Sequence, residues 1–168
     1  KYVTDNGRVF GTFYQIKYAS NGKDVKTEYL AALAAVDTAL STFNKQSTIT
    51  RVNLSSDSVF LTDKDSLFIK VYNKACEISS ITNGAFDITV APLVNAWGFG
   101  FRKGILPDSA AVDSLRRHIG YSTVALKGNK IEKLHKETML DCSAIAKGFG
   151  CDAVAATLDR HGIENYMV

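Results

Sequence analysis

The sequence predicts an α+β fold, an antiparallel or mixed sheet packed against helices. Three observations carry that prediction. Segments with a period of two and segments with a helical period are interspersed along 168 residues. Two strand candidates in the second half are joined by a tight turn, where a doubly wound sheet would need a helical crossover. A hydrophobic content of 46% beside 22% charged residues gives one domain, residues 1–168, enough apolar surface for a core.

Taken in order, Arg8 to Tyr18 alternate, with Phe10, Thr12, Tyr14, Ile16 and Tyr18 on one side, and predict a strand. Ser20-Asn21-Gly22 turns the chain. From about Val25 to Leu40, the spacing of Leu30, Leu33, Val36 and Leu40 is helical, and the intervening alanines favour helix further. A polar segment follows from Ser41 to Asn53. A second helix spans about Lys64 to Thr82, with Phe68, Val71, Ala75 and Ile78 on its apolar stripe and Asn83-Gly84 as its left-handed stop. Pro107-Asp108 opens a third helix that ends at Gly120. Strands near Tyr121–Leu126 and Lys130–Lys133 flank the turn Lys127-Gly128-Asn129. Met139-Leu140-Asp141 reads as a strand end or loop. A fourth helix, Ser143 to Arg160, closes at Gly162, and Ile163–Val168 begins another strand. That run has no turn or polar tail behind it, which predicts that these residues are the N-terminal portion of a longer chain.

Several function classes find no support. The net charge of +3 comes from scattered basic residues, so nucleic acid is not implied. No stretch approaches 18 consecutive apolar residues. No signal peptide starts at Lys1, although a trimmed mature chain would also lack one. Cys76, Cys142 and Cys151 show no C-x-x-C spacing and read as small buried thiols, with one disulfide still open. His118 and His161 sit just ahead of helix-ending glycines, where a partial positive charge suits the dipole, and His135 lies in a charged loop. No Ser–His–Asp set, metal-type histidine spacing or familiar nucleotide loop is present; Gly98-Phe99-Gly100 is only a weak echo.

Two stretches stand out. Gly84 to Gly100 holds the only tryptophan, Trp97, with Phe86, Phe99, Pro92, Asp87 and Asn95. Apolar and aromatic walls with a few polar groups are what a pocket for a flat ligand needs. Asp87 either caps the short segment after it or accepts hydrogen bonds from a ligand. Phe43, in a polar segment between helices, is either an anchor onto the core or a stacking platform. The second stretch is Asp141 to Asp152. Ser143 and Ala144 begin a helix, whose free N–H groups suit an anion such as phosphate, and Lys147 follows about one turn later. Gly148 and Gly150 each disfavour helix by about 1 kcal/mol against alanine, so close backbone approach is expected there. The competing reading makes Asp141 a helix cap, Lys147 a solvated side chain and the glycines helix-packing notches.

These two stretches, with Phe10-Gly11-Thr12-Phe13, Leu40-Ser41-Thr42-Phe43, Ser47, Ile49, Arg51 and Asn53, resemble the ApbE family, the FAD:protein FMN transferases once called thiamine-biosynthesis lipoproteins. The motifs fall in the family's order and cover nearly the whole chain. The resemblance implies an ApbE-like, T-fold-related α+β domain. It also implies a flavin site in which Phe10 lines the FAD pocket and Phe43 stacks on the isoalloxazine, where relatives often carry tyrosine. Ala85, Phe86, Asp87, Asp141 and Lys147 are further implied FAD contacts. Ala144 matches a position that gives magnesium an oxygen, which for alanine is its backbone carbonyl. The family's aspartate and threonine magnesium ligands and its histidine-containing motif would follow Val168.

The activity implied is Mg2+-dependent transfer of FMN from FAD to a threonine hydroxyl of a target protein, with release of AMP. The implied targets are flavin-carrying subunits of membrane redox complexes or periplasmic electron-transfer chains. The implied location is exported, either periplasmic or lipid-anchored to the bacterial membrane. The alternatives are an FAD-storage protein, an FAD pyrophosphatase, or a domain that holds another nucleotide.

Overall fold

The computed structural model describes residues 1–99 and 106–168. Its first element corrects the sequence reading. The segment read as one strand from Arg8 to Tyr18 contains a reversal between β1 (Tyr2–Val9) and β2 (Thr12–Ala19). The two pair antiparallel, from Tyr2 opposite Ala19 to Val9 opposite Thr12. Phe10 and Gly11 form the two-residue turn, with φ of 54° and 71°. Positive φ at both central residues gives the turn a twist that matches the strands. Period alone hid the reversal, because alternate residues are exposed on both sides of it. At the other end of the chain, β6 (Tyr166–Met167) pairs antiparallel with β2, giving the order β1-β2-β6.

The helix α1 (Lys26–Leu40) packs with α6 (Ser143–Arg160) beneath this sheet. Ile16, Tyr18, Tyr29, Leu33, Val154, Leu158 and Ile163 form the core between them. Asp5 lies beside that core and accepts hydrogen bonds from Tyr29 Oη at 2.8 Å, Tyr14 Oη at 3.1 Å and Lys26 Nζ at 2.7 Å. A second sheet of order β3-β5-β4 is antiparallel throughout and comprises β3 (Ser58–Phe60), β4 (Val124–Lys127) and β5 (Lys130–Lys133). Against it lies α3 (Ser66–Ile81), whose Phe68, Val71, Tyr72 and Ala75 join Val36, Ile49, Val52, Ile131 and Leu140 in the larger core. Two short helices complete the chain, α4 (Ala91–Ala96) with Pro92 in its first turn and α5 (Ser109–Arg116). Asp108 caps α5, accepting from Ala111 N at 2.8 Å. No helix among the described residues is long and apolar enough to cross a membrane.

The polar segment Ser41–Asn53 holds a helix that the sequence reading missed, α2 (Thr48–Leu54). Of its three apolar residues only Ile49 and Val52 are buried, both fully, while Leu54 is exposed. Polar contacts hold the rest. Ser47 Oγ caps the N-terminus by accepting from Thr50 N at 3.1 Å. Asp65 accepts from Thr48 Oγ1 at 2.8 Å and pairs with Arg51 Nη2 at 2.6 Å. At the C-terminal end, the Nζ of Lys133 donates to Ser55 O at 2.8 Å and Lys136 O at 3.1 Å, with longer approaches to Asn53 O and Val52 O. Lys133 is only 7% exposed. Burial shifts its ammonium below the ordinary lysine range, and the helix-end carbonyls are the partners that suit a cation there.

From the last turn of α2, Asn53 reaches across 87 residues of sequence. Its Nδ2 donates to Leu140 O at 2.9 Å and its Oδ1 accepts from Leu140 N at 2.7 Å. The carboxamide thereby satisfies both backbone groups of a fully buried residue. Asn53→Ala strands both groups. The expected outcome is a loss of roughly 2–4 kcal/mol of stability by urea unfolding, and a change under about 0.5 kcal/mol would refute the staple.

Acid should act on the half-buried carboxylate of Asp5 and the buried one of Asp65. Burial alone would raise both, but the bonds from Lys26, Tyr29 and Tyr14 hold Asp5 below its ordinary value, and those from Thr62, Thr48 and Arg51 do the same for Asp65. A carboxyl depressed in the folded state adds stability that is present above its unfolded pKa of about 3.9 and is lost as pH falls below it. Urea midpoints should therefore drop between about pH 5 and pH 3. Asp65→Asn should flatten that slope; an unchanged slope would remove Asp65 from the account.

Candidate functional site

Two adjoining clefts open where the α1–α2 connection, the segment 85–99 and the start of α6 meet. The larger holds about 480 Å³ and the smaller about 220 Å³. They share Thr42, Phe43 and Ser143 in their walls. Ala85, Phe86, Asp87, Asp141 and Ala144 line the larger cleft, Phe10 and Lys147 the smaller, and Phe43 both. All eight residues singled out in the sequence, which span 138 positions, are thus brought to one surface.

Backbone bonds tie the two conspicuous stretches together. Val90 and Met139 form a parallel β-bridge, and Asp141 N donates to Ile88 O at 2.7 Å. With Leu140 held by Asn53, the loop that carries Asp141 is fixed from two sides. Asp141 Oδ1 accepts from Ser143 N at 2.7 Å, a side-chain-closed turn at the position before Cys142, which is the N-cap of α6 in place of the Asp141 that the sequence suggested, and Asp141 also lines the cleft.

Asp87 resolves in the same way. The helix α4 starts later, at Ala91, and Asp87 does not cap it. Its Oδ1 accepts from Thr89 N at 2.8 Å and Thr89 Oγ1 at 2.7 Å, a side-chain-closed turn. Thr89 is 1% exposed and also accepts from Gly120 N at 2.7 Å. One carboxylate oxygen is therefore locked, and Oδ2 has no hydrogen-bond partner among the described residues. The sequence reading overlooked Thr89, although the Asp-x-Thr spacing is the signal for such a turn. Nothing local in the sequence gives Asn53 its role, because its partner Leu140 is 87 positions away.

Phe43 is 69% exposed, so it is no anchor buried in the core. Trp97 is 47% exposed and stands outside both core clusters. Gly100, the end of the first stretch, lies outside the described residues. Of the two helical glycines, Gly150 faces Phe10 closely, whereas a Cβ on Gly148 would meet nothing within 4 Å. Cys151 is exposed, against the expectation of three buried thiols, and all three cysteines are free.

The electrostatics favour binding over thiol chemistry. Burial, with Asp141 beside it, pushes the Cys142 thiol up to about 12. Burial also raises Cys76, with Asp87 adding to the effect and a bond from Tyr72 opposing it. Both are protonated at neutral pH and are poor nucleophiles. Among the described residues, no group of three or more His, Cys, Asp or Glu side chains could hold a metal ion. The Ala144 carbonyl and the carboxylates of Asp87 and Asp141, which line the same cleft, are oxygen donors of the kind a hard cation takes.

The comparisons with known proteins agree with this architecture. A family model described as ApbE family matches residues 10–168. A Vibrio cholerae serotype O1 protein named FAD:protein FMN transferase is 37% identical over 171 residues, which cover 97% of this chain and 51% of that protein. A Haemophilus influenzae protein of the same name is 33% identical over 180 residues, 100% of this chain and 52% of the relative. The solved structure of the flavin transferase ApbE from Vibrio cholerae superposes with a TM-score of 0.89 at 35% identity, over 99% of this chain and 56% of that one. The chain spans about half the length of the curated relatives it matches. With a family model matching from the hairpin turn to the last residue and the same fold in a solved member, the chain belongs to the ApbE family.

Proposed function

We propose that this chain forms the flavin-binding part of an FAD:protein FMN transferase, which moves FMN from FAD to a threonine hydroxyl of a target protein. One observation carries the reading: residues from four separate segments, Phe10, Phe43, Ala85 to Asp87, and Asp141 with Ala144 and Lys147, line one pair of adjoining clefts. FAD has two flat rings joined by a pyrophosphate, and the clefts offer aromatic walls with a cation beside them.

In this reading Phe43 stacks on the isoalloxazine, and Phe10 and Phe86 close apolar walls. The ammonium of Lys147 faces the pyrophosphate as a point charge. The carboxylates of Asp87 and Asp141, each held by one oxygen, accept hydrogen bonds from the ligand with the other. Rigid carboxylates position a ligand better than free ones, because their orientation is fixed before binding. The hydroxyl oxygen of threonine attacks the FMN-side phosphorus and loses its proton. The bond from that phosphorus to the bridging oxygen breaks, AMP departs, and FMN remains attached as a phosphodiester. Magnesium would neutralise charge on the pyrophosphate, with Ala144 O as its one ligand from this chain and the others supplied by the rest of the protein. We further propose targets in membrane or periplasmic electron-transfer complexes, and an exported location, periplasmic or lipid-anchored.

The test incubates full-length protein with FAD, magnesium and a threonine-bearing acceptor domain, followed by mass measurement of the acceptor. An FMN-sized gain with stoichiometric AMP is expected. AMP without an adduct would mean pyrophosphatase action, and FAD binding without either product would mean storage; each outcome rejects transfer. Asp87→Ala should weaken FAD binding by about tenfold, the scale of one lost charged hydrogen bond. Unchanged affinity would take Asp87 out of the ligand contacts.

A further inference from the structure

Phe10 occupies a conformation that its own backbone resists. Its φ of 54° lies in the left-handed region, where a bulky residue is disfavoured and where turns of this type ordinarily use asparagine, aspartate or glycine. Gly150 is equally out of keeping with its surroundings, being buried inside α6 where alanine is the better helix former. The two irregularities meet. A Cβ built on Gly150 would stand 2.8 Å from Phe10 Cε2, 3.4 Å from Cζ and 3.5 Å from Leu33 Cδ2. The first distance is shorter than carbon atoms tolerate, and the obstacle is an aromatic ring. The ring also packs against both core clusters, which offsets the strain at its backbone. It lines the smaller cleft together with Phe43 and Lys147.

We propose that Gly150 is a positioning residue for the ligand site: the space left by its missing side chain is the notch that seats the Phe10 ring and so sets the wall of the smaller cleft. This rests on the flavin reading given above. A methyl group at position 150 evicts the ring, and Leu33 blocks relaxation beside it. The displaced ring then alters a cleft of only about 220 Å³. Methionine at position 10 would relieve the conflict, because its unbranched thioether adapts to irregular space.

The test measures FAD affinity, by quenching of flavin fluorescence, and melting temperature for the full-length protein and its Gly150→Ala, Phe10→Met and doubly substituted forms. Gly150→Ala should weaken FAD binding roughly tenfold, the effect of a displaced wall, and lower the melting temperature although alanine favours helix. The double variant should bind FAD as tightly as Phe10→Met alone, with its melting temperature recovered. A role in packing alone would lower the melting temperature and leave the affinity of the folded variant unchanged, which overturns the proposal. So does a double variant no better than Gly150→Ala. If Gly150→Ala fails to fold, the double variant must fold and bind like Phe10→Met, and its failure is equally decisive. Absence of FAD binding by the parent protein would overturn the flavin reading itself, and this proposal with it.

Discussion

The site depends on the carboxamide of Asn53 pairing with both backbone groups of Leu140. Neither partner belongs to a sheet, so nothing else in the fold would supply those bonds. The pairing brings the loop before α6 against the last turn of α2, and Asp141 follows at the next position. The Asp141 N–H bond to Ile88 and the bridge from Met139 to Val90 then carry the same constraint into the segment that holds Asp87. A chain of three short-range contacts thereby fixes two carboxylates that are 54 positions apart, from Asp87 to Asp141.

For Asn53 to serve as an anchor, α2 must itself be held, and it is too short to be stable by propensity. Ser47 satisfies a free N–H at its start, Asp65 grips Thr48 and Arg51, and Lys133 collects carbonyls at its end. The Lys133 contact is unusual because a buried ammonium normally needs a carboxylate. Carbonyl oxygens at a helix C-terminus are the neutral substitute, concentrated by the dipole. Polar contacts in this region therefore do what a hydrophobic stripe does for α1 and α3.

That division explains what could be read from the sequence. The helices α1, α3, α5 and α6, the β4–β5 turn and the stop at Asn83-Gly84 all declare themselves through period or punctuation. The helix α2 does not, since its signal is a set of remote partners, such as Lys133, which stands 81 positions from Val52. The hairpin was hidden for another reason: Phe10-Gly11 replaces the usual turn residues, and a two-residue turn leaves the alternation of exposed positions intact. Composition marks the two stretches that hold Asp87 and Lys147, whereas Phe10, Ala85, Phe86 and Ala144 stand out as site residues only through the resemblance to the ApbE family. Their convergence emerged only from the fold, because the bonds joining the two stretches are made by backbone atoms of Ile88, Val90, Met139 and Asp141. Backbone atoms carry no sequence signature.

Phe10 shows how the same fold reconciles a poor local choice with a useful global one. The ring packs against both the core beneath β1 and β2 and the larger core around α3. An asparagine at this position would suit the turn and leave both clusters without that side chain. A glycine at 150 weakens α6 and an aromatic at 10 strains the hairpin, yet each removes the objection to the other. Such paired departures from local preference concentrate where a surface must have a particular shape. The cleft wall that Phe10 forms is that surface.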